Sequence, residues 1–193
     1  DGRWGIAIDP HVKNWIEELR RENSLAQEYI ASVIDSYYGL WASFDENPGG
    51  MWGIYIAKTR DEIKEKDPNG FALLEAFLPP MMFGYESLID PNFRGTFSLQ
   101  YNEEFPYTHK SQYYVDATLT GSINSNLLGN DADNTLRGNS GNNILDGGEG
   151  NDTVIFQGKK DEYEITDNIV KDTIQGRDGT DTLISIESIQ FLP

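Results

Sequence analysis

Apolar residues recur at three- and four-residue intervals near the start of the chain and alternate with polar ones near its middle. Behind Asp9-Pro10, an N-cap and first-turn pair, Val12, Trp15, Ile16 and Leu19 share one helical face. Asn23-Ser24 breaks and recaps the pattern, and Ala26, Ile30, Val33, Ile34, Tyr37 and Trp41 carry a second helix to about residue 43. "DENPGG" (45–50) then reads as a loop and "MWGIYIAK" (51–58) as a strand. Thr59 with Glu62 predicts a capping box and a short helix that "DPNG" (67–70) ends. "FALLEAF" (71–77) predicts another helix, stopped by Pro79-Pro80. Two alternating segments, "GTFSLQY" (95–101) and "QYYVDATL" (112–119), predict strands.

Past residue 119 the period changes to nine. Leu127, Leu136, Leu145 and Val154 are nine residues apart, as are Gly129, Gly138 and Gly147, and as are Asn134, Asn143, Asp152 and Asp161. In register the units read "GNDADNTLR", "GNSGNNILD" and "GGEGNDTVI". A short strict period of large aliphatics argues for a repeat architecture and against a flexible Gly/Asn-rich linker.

These units resemble the RTX, or haemolysin-type, calcium-binding nonapeptide G-G-x-G-x-D-x-U-x, where U is a large apolar residue. Residues 147–155 fit every fixed position. Residues 129–137 and 138–146 keep the first glycine and the apolar site but carry Asn where the pattern has Asp, and 120–128 is looser. The tail, "DTVIFQGKKDEYEI" followed by "GRDGTDTLISIESIQF", resembles segments that end such arrays. The resemblance covers about 119–193 and implies a parallel β-roll with a C-terminal β capping segment, export through a type I channel and an extracellular location. The fold expected for the whole chain is an α+β module (1–118) followed by that calcium-binding roll (119–193).

A glycine-permitted turn of six residues and a strand of three make each unit, and turns alternate sides. Residues eighteen apart then stack, Leu127 under Leu145 and Leu136 under Val154. So thin a core does not offset the entropy of ordering many glycines, and ions between stacked turns would supply the difference. Calcium takes six to eight oxygens, mixing carboxylates with backbone carbonyls, whereas magnesium demands a tighter octahedron. Zinc prefers nitrogen or sulfur, which this half lacks. The expected first site joins Asn134 and Asp152 with carbonyls of Gly129, Asp131, Gly148 and Gly150, and a second pairs Asn143 with Asp161. One or two ions are expected, with Kd of about 10⁻⁴–10⁻³ M. For Asp178 and Asp181 in "GRDGTDTL", a third ion and a polar hairpin turn stay open as alternatives.

Charge and composition sharpen the setting. With 32 acidic against 15 basic residues and a net charge of −17, nucleic acid is excluded as a natural partner and divalent cations fit. There are no cysteines, so neither disulfides nor a thiolate metal site can brace the chain. No apolar run approaches the ~20 residues of a membrane span. The start at Asp1 suggests a processed product or a piece of something larger. All 4 Trp lie before residue 119 and the glycines crowd after it, so the two halves read as separate modules.

The first half offers little chemistry. His11 and His109 are the 2 histidines, too few for an imidazole cluster, and both read as ordinary surface residues. Glu17-Glu18 and Glu103-Glu104 read as solvated charge, not as acid/base pairs. Aromatics around "DENPGG" (Trp41, Trp52, Tyr55) and around Tyr101, Tyr107, Tyr113 and Tyr114 fit an aromatic core better than a sugar-stacking surface. Three roles follow: a non-catalytic structural or interaction module of a larger secreted protein; the C-terminal portion of a secreted hydrolase of metalloprotease type; and a carbohydrate-binding adhesin module. No complete catalytic constellation favours the enzyme.

Overall fold

The computed structural model describes residues 4, 10–42, 44, 49–77 and 85–192, with no side-chain description at 10, 11, 77, 85 and 86. The expectations at Asp9, Pro79-Pro80 and most of "DENPGG", and for the side chain of His11, lie outside the described residues. Two compact units are present: residues 1–83 with 105–110, and residues 84–104 with 111–193. The composition break at 118/119 thus falls inside the second unit. Three strands that precede the repeat nonetheless join the same sheets as the repeat strands, which is why composition places the division late.

In the first unit, α1 (Pro10–Glu22) and α2 (Leu25–Tyr37) flank Asn23, which turns with φ 59°. Gly39, at φ 69°, follows α2 and ends it before the expected residue 43. The segment 51–58 is not a strand. Gly50–Gly53 (α3) is a tight turn in which Met51 and Trp52 stand at φ 48° and 54°, the Tyr55 backbone N–H donates to Gly50 (3.0 Å), and Gly50 N–H donates to Ala57 (3.0 Å). Its apolar alternation is satisfied by a loop that buries Tyr55 completely and sends its hydroxyl to Asp67 Oδ2 (3.0 Å).

Thr59 caps α4 (Arg60–Lys66) as expected, accepting from Glu62 N–H at 3.2 Å. "DPNG" does not follow α4 as a loop. It opens α5 (Pro68–Phe77), because Asp67 accepts from Gly70 N–H (3.1 Å) and Pro68 suits a first helical position. Val33, Tyr37, Ile54, Tyr55, Ala57, Ile63 and Leu74 form the core of this unit.

The second unit has mixed pairing dominated by parallel strands in two sheets. One runs β1 (Tyr85–Ile89), β3 (Tyr114–Leu119), β5 (Thr135–Arg137), β7 (Thr153–Phe156) and β11 (Ser188–Phe191), all parallel. The other runs β2 (Gly95–Ser98), β4 (Ser125–Leu128), β6 (Ile144–Asp146) and β10 (Thr180–Ile184) in parallel, then β9 (Ile169–Asp172) and β8 (Tyr163–Thr166) antiparallel. From β3 to β7 the chain alternates between sheets, so one circuit takes eighteen residues. Leu127 accordingly pairs with Leu145, and Leu136 with Val154, in the expected register. Residues 157–179 leave the circuit to form the β8–β9 hairpin, and β10 re-enters beside β6 with Leu183 on Leu145.

The aliphatic column is narrow. Leu136, Leu145 and Val154 are wholly buried, and Phe156, Tyr163 and Phe191 close the C-terminal end with ring centroids 5.0–5.7 Å apart. Leu145→Ala is therefore expected to cost about 2–5 kcal/mol, seen as a lower urea midpoint for the second unit, while the exposed Ile144 (42% accessible) changed to Ala costs under ~1 kcal/mol.

Candidate metal centre

The turns between strands set the geometry. In turn 147–152 the glycines Gly148 and Gly150 stand at φ +88° and +119°, a region other residues rarely adopt. A Cβ on Gly148 would lie 2.8 Å from the Asn130 carbonyl oxygen, and one on Gly150 would lie 2.8 Å from that of Ala132. The glycines therefore serve two ends at once: left-handed backbone, and close approach of carbonyls from the turn one circuit earlier. Strand β7 begins immediately after, because Thr153 N–H donates to the Asn134 carbonyl at 2.8 Å.

Position six of each turn forms a column of side chains bonded across the circuits. Asn134 N–H donates to Asp152 Oδ1 (2.7 Å), and Asp152 N–H donates to Glu187 Oε2 (2.7 Å). On the opposite side Asn143 N–H donates to Asp181 Oδ1 (2.9 Å). Asp152 and Asp181 are 0% and 1% accessible, and in each the second carboxylate oxygen, Oδ2, is buried with no hydrogen-bond partner.

Such carboxylates resist ionisation. Burial pushes Asp152 up from its ordinary range, the Asn134 N–H opposes this, and Glu187, Asp133 and Asp146 add repulsion. Burial pushes Asp181 up to about 8, again opposed by one backbone N–H, with Asp178 and Asp172 adding to the rise. A bound cation is what would let both stay charged.

The expected site residues sort as follows. Asn134 and Asp152 lie together, joined by the bond from Asn134 N–H to Asp152 Oδ1. Asn143 is not paired with Asp161, which is exposed in the 3-10 turn Lys160–Glu162 on the excursion. Its partner is Asp181. Gly129, Gly148 and Gly150 lie on facing turns; the Gly148 position faces the carbonyls of Asn130 and Gly129 and the Gly150 position that of Ala132, while Asp131 is exposed.

The signal for Asp181 was in the sequence. "GRDGTDTLI" places Gly176, Gly179, Asp181 and Leu183 at the same offsets as Gly147, Gly150, Asp152 and Val154. The nineteen residues 157–175 that precede it break the period, so that Asp181 reads in sequence as a separate third site and not as a further repeat unit. Asp178 has a structural role, its Oδ2 accepting from the Tyr163 hydroxyl and from Gln157 N–H (2.8 Å). Arg177 stitches the hairpin, bonding Asp172 and Glu162 at 2.7 Å over the Tyr163 ring.

Residues 120–156 and 171–185 match the family model of the RTX calcium-binding nonapeptide repeat, in four copies. The second stretch is the re-entrant unit that carries Asp181. The comparisons with curated proteins and with solved structures give no match. Among the described residues no three His, Asp or Glu side chains form a metal-holding group, so an ion at either Asp152 or Asp181 would draw on backbone carbonyls as well as on that carboxylate. The donor set fits calcium: oxygen only, part carboxylate and part carbonyl.

Elsewhere, His109 N–H donates to Pro106 in the short helical segment Thr108–Ser111. Glu17, Glu18, Glu103 and Glu104 are exposed. Of the aromatics, Tyr55 is core, whereas Trp52 (58%) and Tyr101 (53%) face solvent. Among the described residues no helix is long and apolar enough to cross a membrane.

Proposed function

We propose that the second unit is a calcium-stabilised parallel β-roll, serving as a structural or interaction module of a secreted protein. The observation that carries this reading is the pair of buried carboxylate oxygens, Asp152 Oδ2 and Asp181 Oδ2, each left without a partner on a turn of RTX type. A buried charge with no compensation is costly, and a cation at each removes that cost. Asp152 would hold one ion, with Ser185 carbonyl nearby, since both oxygens lie 2.3 Å from where a Gly147 Cβ would stand. Asp181 would hold the other, against Gly138. Asp161 has no part in either.

Because the ion binds the folded form, it stabilises by RT ln(1 + [Ca²⁺]/Kd), about 2.7 kcal/mol per site at a hundred times Kd. The C-terminal circuits are then loose where free calcium is scarce and ordered outside the cell, which suits secretion by a one-step channel. The acidic surface, with a net charge of −17, favours calcium over anionic partners. Thermal unfolding of the full chain, followed by circular dichroism in EDTA and then in excess calcium, is expected to move upward with calcium and little with magnesium. An unchanged transition would reject the reading.

A further inference from the structure

We propose that the paired asparagines of turns 129–134 and 138–143 stand in for the cation there, so that positions two and six of a turn decide whether it is closed by amides or by calcium. This rests on the calcium reading above and divides the repeats that share the family match into two classes.

The two asparagine turns are bonded alike. In the first, Asn130 Nδ2 donates to the carbonyls of Gln112 (3.2 Å) and Tyr114 (2.9 Å), and Asn134 Nδ2 donates to the Val115 carbonyl (3.2 Å) and to Asn130 Oδ1 (3.0 Å). In the second, Asn139 Nδ2 donates to Thr120 (3.1 Å) and Ile123 (2.9 Å), and Asn143 Nδ2 donates to Ser125 (2.7 Å) and Asn139 Oδ1 (3.1 Å). Position-six oxygens close each turn, Asn134 Oδ1 accepting from Asn130 N–H and Asn143 Oδ1 from Asn139 N–H, both at 2.9 Å. All four residues are at least 94% buried.

A side-chain amide has two N–H donors. In each turn three of the four donors end on carbonyls of the preceding circuit and the fourth ties the two asparagines together. Positive hydrogen thus sits where carbonyl oxygens converge, which is the electrostatic task of a bound ion, done here without one.

The other two turns lack this option. Turn 147–152 has Gly148 at position two, with no side chain, and Asp152 at position six, which when ionised can only accept. Turn 176–181 has Arg177 at position two, but its guanidinium is committed to Asp172 and Glu162. The orphaned oxygens occur at these two turns and not at the asparagine turns. The circuits through β3 to β6 therefore hold together without calcium, and the ion governs the C-terminal end.

The test converts one class into the other in the full chain. Ions bound are counted by native mass spectrometry in calcium, and melting is followed in EDTA and in calcium. Asn130→Gly with Asn134→Asp is expected to bind one ion more than wild type, to melt about 5–10 °C lower in EDTA, and to recover in calcium. Asn134→Ala is expected to melt lower by the same amount in both buffers with the ion count unchanged. That single variant decides the matter even if the double variant fails to fold. Loss of an ion on Asn134→Ala makes Asn134 a ligand and overturns the proposal. A wild-type chain that binds no calcium, with Asn134→Ala still less stable in EDTA, instead sinks the calcium reading and leaves the amide bracing standing.

Discussion

In EDTA, a chain carrying Asp152→Asn and Asp181→Asn is expected to melt above the wild type, and calcium is expected to raise it no further. Both carboxylates are buried and each leaves Oδ2 unbonded. An amide of the same shape removes the charge, keeps an oxygen for the Asn134 or Asn143 N–H, and places donors where Oδ2 stands. At Asp152 that donor would lie close to the Ser185 carbonyl. Relief of an unsatisfied buried group is worth about 1–3 kcal/mol per site, and each kcal/mol moves the midpoint of a unit this size by about 4–8 °C. The wild type gains in calcium what the double variant already has. Differential scanning calorimetry in both buffers reads the crossing directly, and a variant that melts below wild type in EDTA, or still responds to calcium, would show that the ion is held elsewhere.

The second large effect concerns spacing between circuits. Gly129→Ala is expected to lower stability by about 3 kcal/mol or more, because its Cβ would lie 1.9 Å from the Gly147 carbonyl oxygen and 2.8 Å from its carbon. Both are backbone atoms and cannot swing aside. Gly176→Ala is the comparison. It stands at φ +80° with nothing within 4 Å of a new Cβ, so it carries conformational strain alone, about 1–2 kcal/mol. Urea unfolding of the two variants separates the terms, and an equal loss in both would mean the turns do not stack at this distance.

How much of this was legible follows from which signals are local. The nine-residue spacing of Leu127, Leu136, Leu145 and Val154 fixed the register, since an aliphatic at each inward position is all a three-residue strand needs. The strands β1 to β3 were harder to assign to the same sheets. Tyr114–Leu119 alternates like any half-buried strand, and only its pairing with Thr135–Arg137 reveals its place. Asp181 stood in the sequence as a candidate for a third ion, but its pairing with Asn143 was not legible, because a sequence period cannot see past an excursion that the chain makes and then reverses. The segment 51–58 misled because a tight loop around a buried Tyr55 alternates apolar and polar as a strand does.

The asparagines were the subtlest. Asn in place of Asp reads in sequence as a weaker ligand, one charge short. Its other half, the two N–H donors, matters only once carbonyls of a circuit eighteen residues earlier are known to face it. Long-range facing of that kind is what the sequence does not carry.

Titration calorimetry of calcium into the EDTA-stripped full chain, beside the Asp152→Asn/Asp181→Asn variant, bears most directly on the two orphaned carboxylates. Two ions per wild-type chain and none in the variant are expected. No heat with the wild type, or the same number of ions in both, would contradict it.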